Sequence, residues 1–420
     1  MSSTWHFAAR LAAPLLRWNL RRRVGRGKEE AARLPEREGF AATRPPGRLI
    51  WLHAASVGES LSILPLIEAL AARDPALTVL VTTGTVTSAR LLPQRLPEHL
   101  RGRLLHRFAP LDVPEWVGRF LDGWRPDAAG FVESELWPNM LSACAARGIP
   151  LALLNARISQ RSARRWGRLA PEFAGRLLGH FALIMPRSAE DAERLAALGA
   201  PSLTPAGDLK LAAAPLPADD AALAALRAAI GPRPVLLAAS THPGEEAQII
   251  AASALVRRGF PDLLTIIAPR HPERGAAIAD APRRSLGALP GAGPLYIADT
   301  MGELGLFYRV ASMAFIGGSL VPHGGQNPLE AARLGCPVIF GPDMANFRDA
   351  TAALLAAGGA RQVADVGALA ATVTDMLSFP QGVAAMVAAA TTLVSAASDL
   401  PGRMAEALIA LAGMTEPQER

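Results

Sequence analysis

The sequence predicts an α/β protein of two doubly wound domains facing a cleft, preceded by an amphiphilic N-terminal helix. Three observations carry this. Short, nearly continuous apolar runs alternate with helix-patterned segments, the signature of a parallel sheet covered on both faces. The pattern breaks once, at the Pro/Ala/Asp-rich "GDLKLAAAPLPADD", and then resumes. The first 20 residues are apolar and are followed by a run of arginines.

In chain order, the segment 1–35 comes first. Its apolar part, Trp5 to Leu20, contains Arg10 and Arg17 and is shorter than the ~20 clean residues a spanning helix needs. It has no cleavage site of the secretory kind, so export is not expected. Trp5, Phe7, Leu11, Leu15, Leu16 and Trp18 supply apolar area, and Arg21, Arg22, Arg23, Arg26 and Lys28 supply contacts to anionic headgroups. Two readings stand foremost, a membrane-associating helix lying in the interface or an amphipathic helix packed on the protein itself, with a truncated spanning segment as a third.

The first domain is expected over 36–214. "RLIWLHAAS", "LTVLVTTGT", "AAGFVESE", "PLALLNARIS" and "ALIMPRS" read as strands, each followed by a helix. The second is expected over 215–420, with strands in "PVLLAAS", "LLTIIAPRH", "PLYIADT", "MAFIGGS" and "PVIFGP". Ligands of such sheets bind beyond the carboxyl ends of the strands, and with two domains the cleft between them is the expected place.

Half of the 420 residues are hydrophobic, which supports a large core and argues against disorder. Cys144 and Cys336 are too few for a zinc site or a disulfide framework, and a reducing compartment fits. The net charge of +6 and pI of about 10.2 permit anionic partners. Aromatics make up 5% of the chain and do not interleave with basic residues, so nucleic acid is not an expected partner.

Polar clusters fall at the strand ends. Ser56-Val57-Gly58-Glu59 fits a capping box, and Glu59 equally fits a general base at the mouth of a site. Glu133 and Glu135 in "FVESELWPNM" lie two apart, so on an extended segment they point the same way and repel. Lys210 and Lys28 are the lysines of an Arg-rich chain, and Lys210 sits at the domain boundary, where a ligand contact competes with simple solvation. In "IGGSLVPHGGQNPLEAARLG" two glycine pairs flank a loop ahead of a helix; bare amides there would make an anion site. Asn327 and Glu330 could close a cap or meet a sugar diol. Arg270, His271 and Arg274 in "IAPRHPER" add charge for phosphate. No metal-ligand spacing surrounds His271.

"HAASVGES", "ESELWPN", "NARIS", "GDLK", "STHPGEE", "PRHPERG", "DTMGELGLFY" and "GGSLVPHGGQNPLEAA" follow in that order. Together they closely resemble the 3-deoxy-D-manno-octulosonic acid (Kdo) transferases of lipopolysaccharide synthesis, over almost the whole chain. The resemblance implies two Rossmann-like domains of the glycosyltransferase B-type fold. It implies metal-independent, inverting transfer of Kdo from CMP-Kdo to a lipid A precursor at the cytoplasmic side of the inner membrane. CMP-Kdo is then the donor substrate, and no cofactor is expected. By motif, Glu59 is similar to the family's base, Glu133 and Glu135 to its second essential carboxylate, and Lys210 to its transition-state lysine. Pro269, Arg270, Met301, Gly302, Glu303, Asn327, Pro328, Leu329 and Glu330 match the positions for CMP. A glycosyltransferase of the same fold using a UDP- or GDP-sugar, or a non-catalytic binding module, is the alternative.

Overall fold

The computed structural model describes residues 2–40, 43–204, 207–213 and 215–414. The chain divides into two compact units, Met1–Ala213 with Ala397–Arg420, and Ala214–Ala396. Each is built on a six-stranded parallel sheet.

The first sheet contains β1 (Leu49–His53), β2 (Thr78–Thr83), β3 (Leu104–Phe108), β4 (Ala128–Val132), β5 (Leu151–Ala156) and β6 (Phe181–Pro186), in the order β3-β2-β1-β4-β5-β6. The second contains β7 (Val235–Thr241), β8 (Leu264–Pro269), β9 (Leu295–Ile297), β10 (Met313–Ile316), β11 (Val338–Phe340) and β12 (Ala360–Gln362), in the order β12-β11-β10-β7-β8-β9. Numbered within its own unit, each sheet has the same doubly wound order. Each therefore reverses direction once, between β1 and β4 and between β7 and β10, and sheets of this order bind ligands at the switch point.

The period-2 alternation of a strand sorts β1 between two cores. Ile50 and Leu52 face one side with Ile63, Leu66 and Leu70, while Leu49 and Trp51 face the other with Phe120, Trp124 and Phe131. The last helix, Leu400–Gly413, lays Leu400, Met404 and Leu408 on the first of these cores. Its path depends on Gly130, where a Cβ would stand 2.9 Å from the methyls of Leu52 and Leu154 and 3.5 Å from that of Leu408. The sequence reading ran the second domain to residue 420. The chain instead returns, because the apolar stripe of this helix is what covers Ile50, Leu52 and Leu66. Pro380–Gly413 is apolar enough, by length and composition, to cross a membrane. It is two helices, Pro380–Ser395 and Leu400–Gly413, with buried Met386 and Val394 on one and Met404 and Leu408 on the other.

Two strands, β3 and β12, were not expected. Both lie at sheet edges, and "LLHRF" and "ARQ" lack the apolar continuity of inner strands.

The N-terminal helix, Ser2–Val24, does pack on the first unit, through polar contacts. Trp5 donates to Asp112 (3.0 Å), Arg10 pairs with Glu115, and Arg17 grips Glu38 and lies over the Trp116 ring. Phe7, Leu11, Leu15 and Trp18 stay exposed. Just beyond it, Glu29 and Arg37 form a buried ion pair whose guanidinium also donates to the carbonyls of Thr83, Gly84 and Ala109.

Candidate functional site: two switch points

At the first switch point the loop after β1 turns into the helix Val57–Ser62. Ser56 is its N-cap and accepts from Glu59 N–H at 3.3 Å. The Glu59 carboxylate reaches back, accepting from Ser56 Oγ–H (2.6 Å) and from Ala55 N–H (2.8 Å). Ser56 therefore caps the helix as the motif predicts, while the return bond goes to Ala55 N–H, one residue before the cap, and a buried carboxylate is aimed at the end of the strand. Burial pushes this carboxyl above its ordinary value; the Ser56 bond opposes it, the charge of Glu135 adds to it, the Ala55 bond opposes it, and Glu133 adds again. The helix start and its hydrogen bonds favour the ion, yet desolvation and the two neighbouring carboxylates prevail.

Glu133 and Glu135 do not form a like-charge pair. The strand stops at Val132, and Glu133 adopts φ 59°, a left-handed conformation uncommon for a residue with a side chain. The extended geometry expected from sequence is lost, and the two carboxylates find different partners. Glu133 Oε1 accepts from Lys210 Nζ at 2.8 Å, with Arg157 at 3.7 Å from Oε2. Glu135 Oε2 accepts from Trp137 Nε1 (2.5 Å) and faces His53 Nε2 (3.3 Å). Burial raises the Glu135 carboxyl, but the His53 bond and charge and the Trp137 bond outweigh it, leaving it below the usual range.

Behind these stand residues to which the sequence assigned no role, Thr82 and His53 among them not singled out at all. Thr82 Oγ1 accepts from Trp51 Nε1 (2.8 Å) and contacts His53 Nδ1 (2.9 Å), locking the buried imidazole that faces Glu135. Asn155, also at positive φ, accepts from Leu209 N–H and donates to Asp208, whose carboxylate caps Lys210 N–H. That turn delivers Lys210 to Glu133. Ser134 Oγ donates to the Arg157 carbonyl at 2.5 Å. Beside Glu133 a cavity of about 360 Å³ opens between Arg157, Ser162 and Trp166, with Leu136 and Leu195 in its wall.

At the second switch point the glycine loop behaves differently from the sequence reading. Its amides are not bare. Glu245, fully buried, accepts from Gly318 N–H (2.7 Å), Ser319 N–H (2.9 Å), Leu320 N–H (2.9 Å) and His242 N–H (3.2 Å). An internal carboxylate fills the nest that a phosphate was expected to fill. Gly324 N–H is held by Asp343, and Gly325 N–H by the Gly318 carbonyl. The second glycine pair serves close packing: a Cβ at Gly325 would stand 2.2 Å from Met344 Sδ.

The CMP-matching residues follow the carboxyl ends of β8, β9 and β10. Pro269 ends β8, and Arg270 projects from it, exposed. Arg274, also expected to face phosphate, is turned inward to Glu246 (2.6 and 3.3 Å). Met301 is exposed and Gly302 has φ 82°. Glu303 is held below the usual carboxylate range by its bonds from Arg284, against burial and with help from Thr300. Asn327 accepts from Leu329 N–H (3.1 Å) and donates to Glu330 (3.3 Å), so these two do close a cap, over the helix Leu329–Arg333 that follows Pro328.

The four proposed catalytic residues thus fall in the first unit and the nucleotide positions in the second. A family model described as 3-deoxy-D-manno-octulosonic-acid transferase matches residues 32–213. A probable 3-deoxy-D-manno-octulosonic acid transferase, mitochondrial, of Arabidopsis thaliana is 38% identical over 353 residues, covering 80% of this chain and 78% of that protein. The 3-deoxy-D-manno-octulosonic acid transferase of Bordetella pertussis is 35% identical over 424 residues, 96% of this chain and 97% of that one. A solved glycosyltransferase from Rickettsia africae shares the fold, with TM-score 0.54 at 11% identity, covering 89% of this chain and 100% of that chain. The architecture is the glycosyltransferase B-type fold, and this chain belongs to the 3-deoxy-D-manno-octulosonic acid transferase family.

Proposed function

We propose that this chain is an inverting glycosyltransferase that moves Kdo from CMP-Kdo to a glucosamine hydroxyl of a lipid A precursor (lipid IVA), releasing CMP. The observation that carries the reading is Glu59: a buried carboxylate with raised proton affinity, aimed from a helix start at a topological switch point. A base poised upward toward neutrality suits removal of a hydroxyl proton.

In this mechanism Glu59 takes the acceptor's proton as its oxygen bonds to the anomeric carbon of Kdo. The bond from that carbon to the phosphate oxygen breaks on the opposite face, and its electron pair leaves with CMP. One displacement inverts the centre. Both Glu59 oxygens already accept one hydrogen bond, and each has a second lone pair for the incoming proton. Lys210 and Glu133, with Glu135 held by His53, set the charge around the cationic anomeric centre. Pro269, Arg270, Met301, Gly302, Glu303, Asn327, Pro328, Leu329 and Glu330 hold the nucleotide, with Arg270 supplying charge for the departing phosphate. The exposed apolar face of the N-terminal helix and the exposed arginines 161, 164, 165 and 168 support work at the cytoplasmic side of the inner membrane.

The test is mass spectrometry of lipid products after incubation with CMP-Kdo and a tetraacylated precursor, for the wild type and Glu59→Gln. A Kdo adduct with the wild type and none with a folded variant is expected. Adduct formation at the same rate by both removes the base assignment.

A further inference from the structure

Three imidazoles meet at the carboxyl ends of β7, β8 and β10. The His242 and His323 rings stack with centroids 4.3 Å apart and planes at 19°, and His271 meets His242 edge-on at 6.2 Å. Gln326 Nε2 lies 3.0 Å from His242 Nε2. An amide nitrogen only donates, so this contact is a hydrogen bond only to a ring nitrogen that carries no proton.

The charges around the cluster are one-sided. His242 faces His323, His271 and Arg270, opposed by Glu246. Glu246 is already committed to Arg274 and to the Thr241 hydroxyl. Glu245 is sealed among loop amides, and Asp343 near His323 is bonded to Gly324 N–H. Glu273, 3.6 Å from His271, is largely exposed. Burial and then the neighbouring His323, His271 and Arg270 hold the proton off His242. An arriving anion opposes those effects, since it gives an imidazolium beside Arg270 a counter-charge. The amides of Gly318, Ser319 and Leu320 are taken by Glu245, which leaves the imidazoles and the exposed Arg270 to meet a phosphate at these strand ends.

We propose that His242, His271 and His323, with Arg270, form a phosphate subsite for the cytidine nucleotide, and that the cluster takes up a proton from solvent as the nucleotide binds. This rests on the reading above that the second unit holds a cytidine nucleotide. Only a proton moves: it passes from solvent to an imidazole nitrogen, which then donates to a phosphate oxygen.

The experiment is titration calorimetry of the full chain in buffers of differing ionisation enthalpy. The probes are CMP and its methyl phosphodiester, whose phosphate does not titrate near neutrality. The wild type is expected to take up protons with both probes. Its affinity for the diester falls as pH rises, by up to about tenfold per pH unit for one proton. The combined variant His242→Asn, His271→Asn, His323→Asn is expected to lose the uptake and most of the affinity. Diester binding by the wild type without proton uptake overturns the proposal and leaves the nucleotide reading intact. So does uptake with CMP alone, because that proton belongs to the nucleotide. Unchanged uptake in a folded triple variant also overturns it, and if that variant does not fold, the wild-type diester measurement decides. Failure of both probes to bind the wild type overturns this proposal and the nucleotide reading together.

Discussion

Lys210 Nζ lies 2.8 Å from Glu133 Oε1, although the two residues are 77 positions apart. Both ends of this contact are built. Glu133 is held at positive φ by its N–H on the Leu154 carbonyl and its own carbonyl on Arg157 N–H. Lys210 is carried by the Asn155–Asp208 turn. A conformation of this kind costs on the order of 1–3 kcal/mol and clusters at functional sites. If the pair acts as one unit in transfer, Lys210→Ala and Glu133→Gln each lower kcat by on the order of 10²-fold, and the double variant is no worse than the worse single one. Single-turnover rates of the three variants check this. Losses that multiply would show two independent roles.

The Ser56–Glu59 pair makes a pH prediction with a definite sign. The Ser56 bond lowers the Glu59 carboxyl, so Ser56→Ala moves the acid limb of kcat/KM to higher pH. It also removes the helix cap, at about 0.5–2 kcal/mol of stability. Glu59→Gln keeps an acceptor for the loop and loses activity by about 10²–10⁴-fold. Linkage adds a separate readout. The folded carboxyl lies above its ordinary 4.5, so its stabilising share is present below that value and is lost as pH rises through the folded value. Glu59→Gln is thus expected to gain stability relative to the wild type between pH ~4 and pH ~7.5. Urea unfolding of both proteins at the two ends of that range measures it; a constant difference contradicts the raised proton affinity.

Glu245 is satisfied by four backbone N–H groups, those of His242, Gly318, Ser319 and Leu320. An amide in its place offers one oxygen and turns an N–H₂ toward N–H groups. Glu245→Gln is expected to destabilise the second unit by at least ~2 kcal/mol, because buried donors are left unmet. It also loosens the loop that leads to Asn327 and Glu330. A rise in the donor KM that exceeds the fall in kcat is the expected kinetic signature. Unchanged denaturant midpoints would show that the loop holds itself.

The inner strands were legible because a parallel strand covered on both faces must be apolar throughout, and "LIWLH" or "LTIIAP" admits little else. The edge strands β3 and β12 were not, since one side of each needs no partner and His106, Arg107 and Gln362 are tolerated there. The cap at Ser56 was legible from four residues because it is local. The partners of Glu133 and Glu135 were not, because a left-handed residue after β4 redirects both side chains, and nothing about a glutamate announces positive φ. Glu245 shows the same limit. A glycine-rich loop reveals that amides are exposed to something, and the sequence does not say that the something is a glutamate more than 70 positions earlier.

The N-terminal helix gives the last prediction, because its two faces separate the two readings of it. One face is fixed by Trp5–Asp112, Arg10–Glu115 and Arg17–Glu38, so the helix belongs to the folded unit. The other leaves Phe7, Leu11 and Leu15 each more than 60% exposed, with Arg21, Arg22 and Arg23 in the last turn. Substituting Phe7, Leu11 and Leu15 with Gln removes no buried contact, and stability is expected to change by less than ~0.5 kcal/mol for each surface position. Each of these side chains, if buried in a bilayer, is worth ~1.5–3 kcal/mol, so partitioning to anionic vesicles should fall by at least tenfold for the triple variant. Cosedimentation with vesicles of anionic and of neutral lipid measures it, with Lys28→Gln as a single-charge control expected to shift only the anionic arm. Undiminished partitioning of a folded triple variant would show that this apolar face is not what meets the lipid.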